Sequence, residues 1–227
     1  MSTWPEQVVA ASTAALQPHA DRERALGAEA YMKHVAPFLG IPAEPRRKYL
    51  RAAWVDLPLP TSEQLGRAAR QLMQLPEREY HYAAYDLLVK YLANANEHFL
   101  AEHVQVLLVT KPWWDTVDGL VNAGVSPLAR RYESTALIDA WSESGNIWLI
   151  RAAIGHQRGW RTDTDVGRVL RLCGRHWESA EFFVAKAIGW ALRDLARLDP
   201  PAVRAFLATH EHPNMVAVRE ANRGLNR

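Results

Sequence analysis

The stretch EFFVAKAIGWALRDLAR, Glu181–Arg197, shows the periodicity that decides the fold class. Its large apolar residues recur at intervals of three and four, which is the pattern of one buried face of an α-helix. They are Val184, Ile188, Leu192 and Leu195. Similar patterns run through nearly the whole chain, alternating strand-like runs are missing, and most prolines suit first turns or connections of helices. The sequence therefore predicts an all-α fold.

The helical segments recur at a regular spacing. Alanines occupy equivalent positions in YHYAAYDLL, IWLIRAAIGH and FFVAKAIGWAL, at Ala83, Ala152 and Ala187, with separations of 69 and 35 residues. A period of about 35 residues is typical of helical-pair repeats, and counting 35 on from Ala83 reaches Asp118. Such repeats stack into a superhelical solenoid whose equivalent helices line one concave groove. We therefore predict a single solenoid domain over residues 1–227, with Asp118 facing the groove.

Length and composition limit the class of protein. The chain has 227 residues, of which 48% are hydrophobic, so it can bury a substantial core and is not a disordered chain. The N-terminus lacks the basic flank and apolar run of a signal peptide, and no stretch approaches the roughly 18 uncharged apolar residues of a membrane span. We expect a soluble, cytoplasmic monomer that does not contact a membrane.

Neither a metal site nor a cofactor site is recognisable in the sequence. The one cysteine, Cys173, has no partner for an internal disulfide and no Cys or His neighbours at the spacing of zinc ligands. His210 and His212 flank Glu211, a pattern that fits a polar C-terminal turn better than a pair of metal ligands. We therefore expect no metal ion and no cofactor.

The net charge does not identify a binding partner, but the positions of the cations indicate one class of partner. The net charge is only +2, and although the excess of arginine over lysine suits bidentate phosphate contacts, a GC-rich genome produces the same bias. In the 181–197 segment, however, Trp190 lies off the apolar stripe and shares its face with cations. These cations are Lys186, Arg193 and Arg197. Cations that meet phosphates, beside a ring that meets sugars or bases, are typical of a nucleic-acid-binding face.

Another tryptophan lies off the apolar stripe in TKPWWDTVDGLV, Thr110–Val121. We expect Thr110 to cap a helix that holds a proline in its first turn and runs through Trp113. The predicted core stripe is Trp113, Val117, Leu120 and Val121. Trp114 and Asp118 are four residues apart and share a different face of the helix. From this helix alone, a functional pair and a half-buried tryptophan beside a solvated acid are equally good interpretations.

Four segments carry a resemblance to a known family. They are LPEREYHYAAYDLLVKY, TKPWWDTVDGLV, NIWLIRAAI and EFFVAKAIGWALRDLA. In this order and spacing they resemble the DNA alkylation repair family of HEAT-like repeat DNA glycosylases, and the earlier AEAYMKHVAPFLGIPAEPRRKYL is similar to its N-terminal repeat. The resemblance spans Tyr31 to Arg197, whereas NAGVSPLARRYES, residues 122–134, departs from the family pattern. It implies a solenoid of HEAT-like repeats with a concave DNA-binding groove.

The resemblance also implies roles for individual residues. The two tryptophans and the aspartate that line the family's groove match Trp114, Trp190 and Asp118, which are the implied catalytic residues. The residues expected to contact DNA, taken from the resemblance and from the basic face, are Tyr31, Arg47, Arg151, Lys186 and Arg193. The implied partner is double-stranded DNA that contains alkylated bases, and this also implies a nucleoid-associated location in the cytoplasm.

The activity implied by the resemblance is hydrolysis of an N-glycosidic bond. Its substrates would be cationic alkylated purines, N3-methyladenine and N7-methylguanine, held in the duplex without base flipping. Departure of the base leaves positive charge on the deoxyribose, as in glycoside hydrolysis, and an ionised Asp118 would stabilise that charge. Two other classes stay open: a non-catalytic DNA-structure-binding repeat protein, which would use the same basic groove, and a protein-interaction scaffold, which would need only the repeat.

Overall fold

The computed structural model describes residues 2–210 and 214–226. Within these residues all regular secondary structure is helical and none of it is β-strand. The predicted all-α fold class is therefore confirmed. Glu211 and His212, which the sequence places in a polar turn, lie outside the described residues. None of the described helices is both long enough and apolar enough to span a membrane.

The contacts of the chain divide it into two compact units, Met1–Gly124 and Val125–Arg227. That residues 1–227 form one solenoid domain stays a prediction. The α-helices of the first unit are α1 (Trp4–Leu16), α2 (Arg22–Tyr31), α3 (Ala43–Ala53), α4 (Ser62–Gln74), α5 (Arg78–Tyr91), α6 (Gln105–Val109) and α7 (Trp114–Leu120). A π-helical segment, Leu100–Val104, leads into α6, and another, Val121–Val125, follows α7. In this unit α4 packs against α1 and α5, and α5 packs against α7.

The second unit is built around one central helix. Its α-helices are α8 (Ser126–Arg131), α9 (Thr135–Glu143), α10 (Ile147–Ile154), α11 (Val166–Arg175), α12 (Phe182–Leu195), α13 (Pro200–Thr209) and α14 (Met215–Leu225). α12 packs against α10 on one side and α14 on the other, while α9 packs on α10 and α11 packs on α12. All four residues of the apolar stripe predicted for α12 are buried, so this prediction is confirmed.

Two glycines allow α12 and α14 to approach closely. A Cβ atom at Gly189 would lie 2.8 Å from Cβ of Glu220, and a Cβ atom at Gly224 would lie 2.5 Å from the carbonyl oxygen of Arg193. Both distances are shorter than the contacts that side chains tolerate, so a larger residue at either position would separate the helices. The close contact brings Glu220 of α14 beside the cations of α12.

One series of helices follows the predicted repeat. α3, α5, α7, α10, α12 and α14 begin at intervals of 33 to 36 residues. Their first residues are Ala43, Arg78, Trp114, Ile147, Phe182 and Met215. The period of about 35 residues is therefore confirmed, and α7, which carries Asp118, takes the second-helix position of its repeat as predicted.

The predicted start of α7 is wrong by one turn. Thr110 ends α6, where its hydroxyl donates to the carbonyl of Val106 at 2.7 Å, and the chain then turns at Lys111, which has a φ of 43°. Trp113 is the N-cap residue, with extended backbone angles of −154° and 165°. It is consequently half-buried rather than a core residue. The rest of the predicted stripe, Val117, Leu120 and Val121, is buried.

Candidate nucleic-acid interface

α7 presents an aromatic ring and a carboxylate on one face. Trp114 is its first residue, Asp118 follows one turn later, and both residues are half-buried. The ring of Tyr31, which is 72% exposed, meets the Trp114 ring edge-on, with 6.4 Å between the centroids and 82° between the planes. In the first unit the structure thus brings Tyr31 to the helix face that carries the predicted catalytic pair. Exposed rings of this kind offer a large apolar surface to a ligand.

The other aspartate of α7, Asp115, is held by the buried Arg78 and the half-buried Tyr82. Arg78 donates to its two carboxylate oxygens, at 2.6 Å through Nη2 and 3.1 Å through Nε, and the hydroxyl of Tyr82 donates to Oδ2 at 2.5 Å. Burial, and then the charge of Asp115, raise the pKa of Tyr82, which keeps its phenol proton on the oxygen. Asp115 is therefore a structural residue that positions the first turn of α7.

Arg78 also fixes the chain that leads into α7. Its guanidinium donates to the carbonyl of Lys111 at 2.9 Å and to the hydroxyl of Thr116 at 3.0 Å. The His81 ring nitrogen Nε2 faces the carbonyl of Leu75 at 2.8 Å and must donate to it, so Nδ1 accepts from Arg78 at 3.3 Å. Burial lowers the pKa of His81 to about 4, which keeps the ring neutral in this arrangement.

A glycine sets the distance between α7 and α5. A Cβ atom at Gly119 would lie 2.4 Å from Cε1 of Tyr85, so the ring of Tyr85 packs directly against the α7 backbone. Burial raises the pKa of Tyr85, which stays protonated in this contact. Because Gly119 is next to Asp118, the same contact also fixes the backbone from which the Asp118 side chain projects.

The two arginines at the start of α3 are placed differently. Arg46 is buried, pairs with Asp86 at 3.1 Å, and lies 4.8 Å from the centre of the Tyr82 ring. Arg47, the predicted DNA contact, reaches the same Asp86 at 3.4 Å with half of its side chain exposed. Arg46 is thus part of the core, whereas Arg47 is accessible to a ligand. The DNA contact of Arg47 stays a prediction.

In the second unit, three cations surround the ring of Trp190. From the ring centre, the guanidinium carbon of Arg151 lies at 4.9 Å, that of Arg158 at 5.3 Å and the ammonium nitrogen of Lys186 at 5.6 Å. All three distances lie within the range of cation–π attraction. The structure therefore brings Trp190 together with Arg151 and Lys186, two of the residues expected to contact DNA, and it adds Arg158.

Sequence reasoning missed Arg158 because the residue lies beyond the end of a helix. α10 ends at Ile154, and Arg158 follows in an irregular turn. Arg151 and Arg158 are seven residues apart, which would place them on one face of a continuous helix. Because α10 ends between them, helical periodicity does not place Arg158 on the same face as Arg151.

Arg151 is almost fully buried beside Trp190. Its exposed fraction is 3%, and Nη1 donates to the carbonyl of Phe183 at 2.6 Å. These contacts fix the guanidinium against the tryptophan ring, so Arg151 supports the ring from inside the unit. Its predicted phosphate contact is not tested by this arrangement and stays a prediction.

Lys186 and Arg193 share one carboxylate from the C-terminal helix. Glu220 accepts from Lys186 at 2.7 Å, from Arg193 at 3.0 Å and from Arg223 at 2.9 Å, and its side chain is only 5% exposed. The hydrogen bond from Lys186, with the charges of the three cations, lowers the pKa of Glu220. The sequence did not predict this neutralisation, because Glu220 lies 34 residues after Lys186.

Comparison with known proteins identifies the family of the chain. The family model described as DNA alkylation repair enzyme matches residues 12–225. A solved structure described as a predicted DNA alkylation repair enzyme from Enterococcus faecalis is 26% identical, has a TM-score of 0.74, and aligns over 92% of this chain and 97% of its own. No curated protein matches the chain. Since the family model covers nearly the whole sequence, the chain belongs to the DNA alkylation repair enzyme family.

Proposed function

We propose that this protein is a DNA glycosylase that hydrolyses the N-glycosidic bond of cationic alkylated purines in duplex DNA, without base flipping. Membership of the DNA alkylation repair enzyme family gives the chain a role in the repair of alkylation damage. The finer proposal, with N3-methyladenine and N7-methylguanine as substrates, is supported by the residue types and their placement on α7. Double-stranded DNA with alkylated bases is then the partner.

The observation that carries the proposal is the position of Asp118 on α7. Asp118 lies one turn along from Trp114, on the face that the exposed Tyr31 adjoins. A carboxylate beside exposed aromatic rings suits a cationic ligand, because rings and carboxylate both attract positive charge.

The chemistry needs little more than a negative charge and a water molecule. An alkylated purine is already cationic, so the bond from C1′ to the base breaks with its electron pair going to the base. The sugar then carries positive charge in an oxocarbenium-like state. Asp118 stabilises that charge and orients or deprotonates the water that attacks C1′. The products are the free neutral base and an abasic site.

Trp114, Tyr31 and Trp190 have supporting roles in this proposal. The ring of Trp114, with Tyr31 against its edge, contacts the cationic nucleotide in the first unit. Each such contact between a ring and a cation contributes roughly 0.5 to 2 kcal/mol. Trp190, which three cations of the second unit surround, is the other tryptophan with a proposed catalytic role, through contact of its ring with the DNA.

Matched duplexes that carry one N7-methylguanine or one uracil test the proposal. We expect release of 7-methylguanine and formation of abasic sites, and no release of uracil, which is neutral and needs an acid to leave. Release of uracil at a comparable rate would show that a general acid acts at this site and would refute the proposed mechanism. Binding of the methylated duplex without any base release would instead identify the non-catalytic DNA-structure-binding protein.

A further inference from the structure

The three cations around Trp190 differ in what balances their charge. Lys186 is paired with the carboxylate of Glu220, and Arg151 is buried with a hydrogen bond to the carbonyl of Phe183. Arg158 is half-buried, and in the described part of the chain no carboxylate lies within ion-pair distance of its guanidinium. Cations around one ring repel each other, and like charges repel more strongly where water is partly excluded. A negative ligand at Arg158 would offset this repulsion.

The backbone around Arg158 is fixed in place. Its carbonyl accepts from the hydroxyl of Ser126 at 2.6 Å, and the indole nitrogen of Trp160 donates to the carbonyl and the hydroxyl of Ser126 at 3.1 and 3.0 Å. Between Arg158 and Trp160, Gly159 adopts a φ of 85°, a conformation that glycine takes without strain. These hydrogen bonds hold the backbone of the turn, and the Trp190 ring holds the side chain of Arg158. A cation positioned in this way loses little conformational freedom when it binds an anion.

We infer that Arg158 binds a backbone phosphate of DNA, as a further binding residue of the second unit. A guanidinium offers a planar fork of donors that fits phosphate oxygens, and one of its faces can rest on an aromatic ring at the same time. The inference rests on the proposed function, because it takes DNA as the ligand. Lys186 and Arg193 are paired with Glu220, so Arg158 is the cation that brings uncompensated charge to the DNA.

Salt-dependent binding of an unmodified duplex tests this inference without any need for base excision. We would measure the dissociation constant by fluorescence anisotropy over a series of sodium chloride concentrations for the wild type, Arg158→Ala, Arg158→Lys and Arg204→Ala. Arg204 is an exposed arginine of α13 and serves as the matched control. A lost phosphate contact should reduce the slope of log K against log salt by about 0.9 and weaken binding about eightfold at 0.1 M salt.

The expected pattern is a reduced slope for Arg158→Ala, a slope close to that of the wild type for Arg158→Lys, and an unchanged slope for Arg204→Ala. An unchanged slope for Arg158→Ala, with normal binding by the wild type, would overturn this inference and leave the proposed function intact. A wild type that does not bind duplex DNA would overturn both. Thermal unfolding of each variant shows whether a change in binding follows from a change in folding.

A second experiment shows whether the ligand of Arg158 is a phosphate of DNA or a free phosphate ion. Part of the chloride is replaced by inorganic phosphate at constant ionic strength. We expect similar duplex affinities in the two buffers for the wild type, because a polyanion with many contacts competes well against a single ion. Binding of inorganic phosphate by the wild type that is lost in Arg158→Ala, together with an unchanged salt slope of duplex binding in Arg158→Ala, would assign the site to free phosphate and overturn the inference.

Discussion

Arg78 and Asp115 form a two-point ion pair between α5 and α7, at 2.6 and 3.1 Å, with the arginine fully buried. Each residue lies at the start of its helix, and the two helices belong to successive repeats. The pair therefore fixes the position of one repeat relative to the next. Because Asp115 comes directly after Trp114 and three residues before Asp118, it also sets where the candidate catalytic face begins.

Loss of Arg78 should destabilise the protein strongly. Arg78→Met removes the cation and leaves the carboxylate of Asp115, whose side chain is only 10% exposed, without its cationic partner, so the free energy of unfolding should fall by about 3 to 5 kcal/mol. Urea denaturation followed by tryptophan fluorescence measures this change. Arg67→Met, which breaks an exposed pair with Glu63, is the control and should cost less than about 1 kcal/mol. Equal effects of the two substitutions would contradict the structural role of Arg78.

Replacement of Asp118 should separate binding from chemistry. Since the carboxylate is proposed to stabilise charge that develops only in the transition state, Asp118→Asn should lower base excision by roughly 10²-fold or more and leave duplex affinity nearly unchanged. Single-turnover release of 7-methylguanine and anisotropy titrations measure the two quantities. Asp56→Asn changes an exposed aspartate of the same unit and should affect neither. Excision by Asp118→Asn at the wild-type rate would exclude the assigned role.

Neutralising Glu220 should strengthen DNA binding at the expense of stability. Glu220→Gln releases Lys186 and Arg193 from their shared carboxylate and adds one positive charge to the basic face. Duplex affinity should then rise several-fold at low salt, with a steeper salt dependence, and the gain should shrink as salt screens the charge. Anisotropy titrations at several salt concentrations provide the measurement.

The control for Glu220→Gln makes the same change of charge elsewhere in the unit. Glu143→Gln removes an exposed carboxylate of α9 that pairs with Arg175. The two variants have equal net charge, so only a local effect of Glu220 can distinguish their affinities. Indistinguishable titration curves would show that Lys186 and Arg193 do not approach DNA.

The buried histidines should make folding sensitive to mild acid. Burial lowers the pKa values of His81 and His156 to about 4, below the ordinary value of 6.5. The unfolded chain therefore binds more protons than the folded chain once the pH falls below 6.5, and stability is lost from there down to pH 4. Each histidine contributes up to about 1.4 kcal/mol per pH unit in this window.

Urea denaturation between pH 7.5 and 5 measures this effect before the carboxylates titrate. His81→Gln retains a donor and an acceptor for Leu75 and Arg78, so it should reduce the loss of stability over that range. His98→Gln, at an exposed position, should leave the pH dependence as it is in the wild type. If His81→Gln has the same pH dependence as the wild type, protonation of His81 does not destabilise the fold.

The periodicity of the sequence predicted those features of the fold that depend on neighbouring residues along one helix. The apolar stripe of α12, the period of the repeat and the shared face of Trp114 and Asp118 all follow from spacings of three, four and about 35 residues. These features need no knowledge of distant contacts. They account for the fold class, whereas the catalytic roles proposed for Trp114, Trp190 and Asp118 come from the resemblance to the DNA alkylation repair family.

Features that depend on distant contacts were not predicted. Trp113 caps α7 instead of entering the core because Arg78, 33 residues before Lys111, holds the preceding turn. Lys186 is neutralised by a residue 34 positions later. In each case one buried charge determines the local arrangement, and its partner lies in a different repeat, beyond the range over which a sequence pattern carries information.

The contact between Gly119 and Tyr85 affects how accurately Asp118 is placed. On the α7 side the contact is made by backbone atoms, and Tyr85 meets them with a rigid, half-buried ring. Side chains can change rotamer at small cost, whereas a helix backbone pressed against a ring has no torsion angle that adjusts independently. The point at which the Asp118 side chain leaves α7 is therefore held by two stiff helices, which removes backbone movement as a source of misplacement for the reacting group.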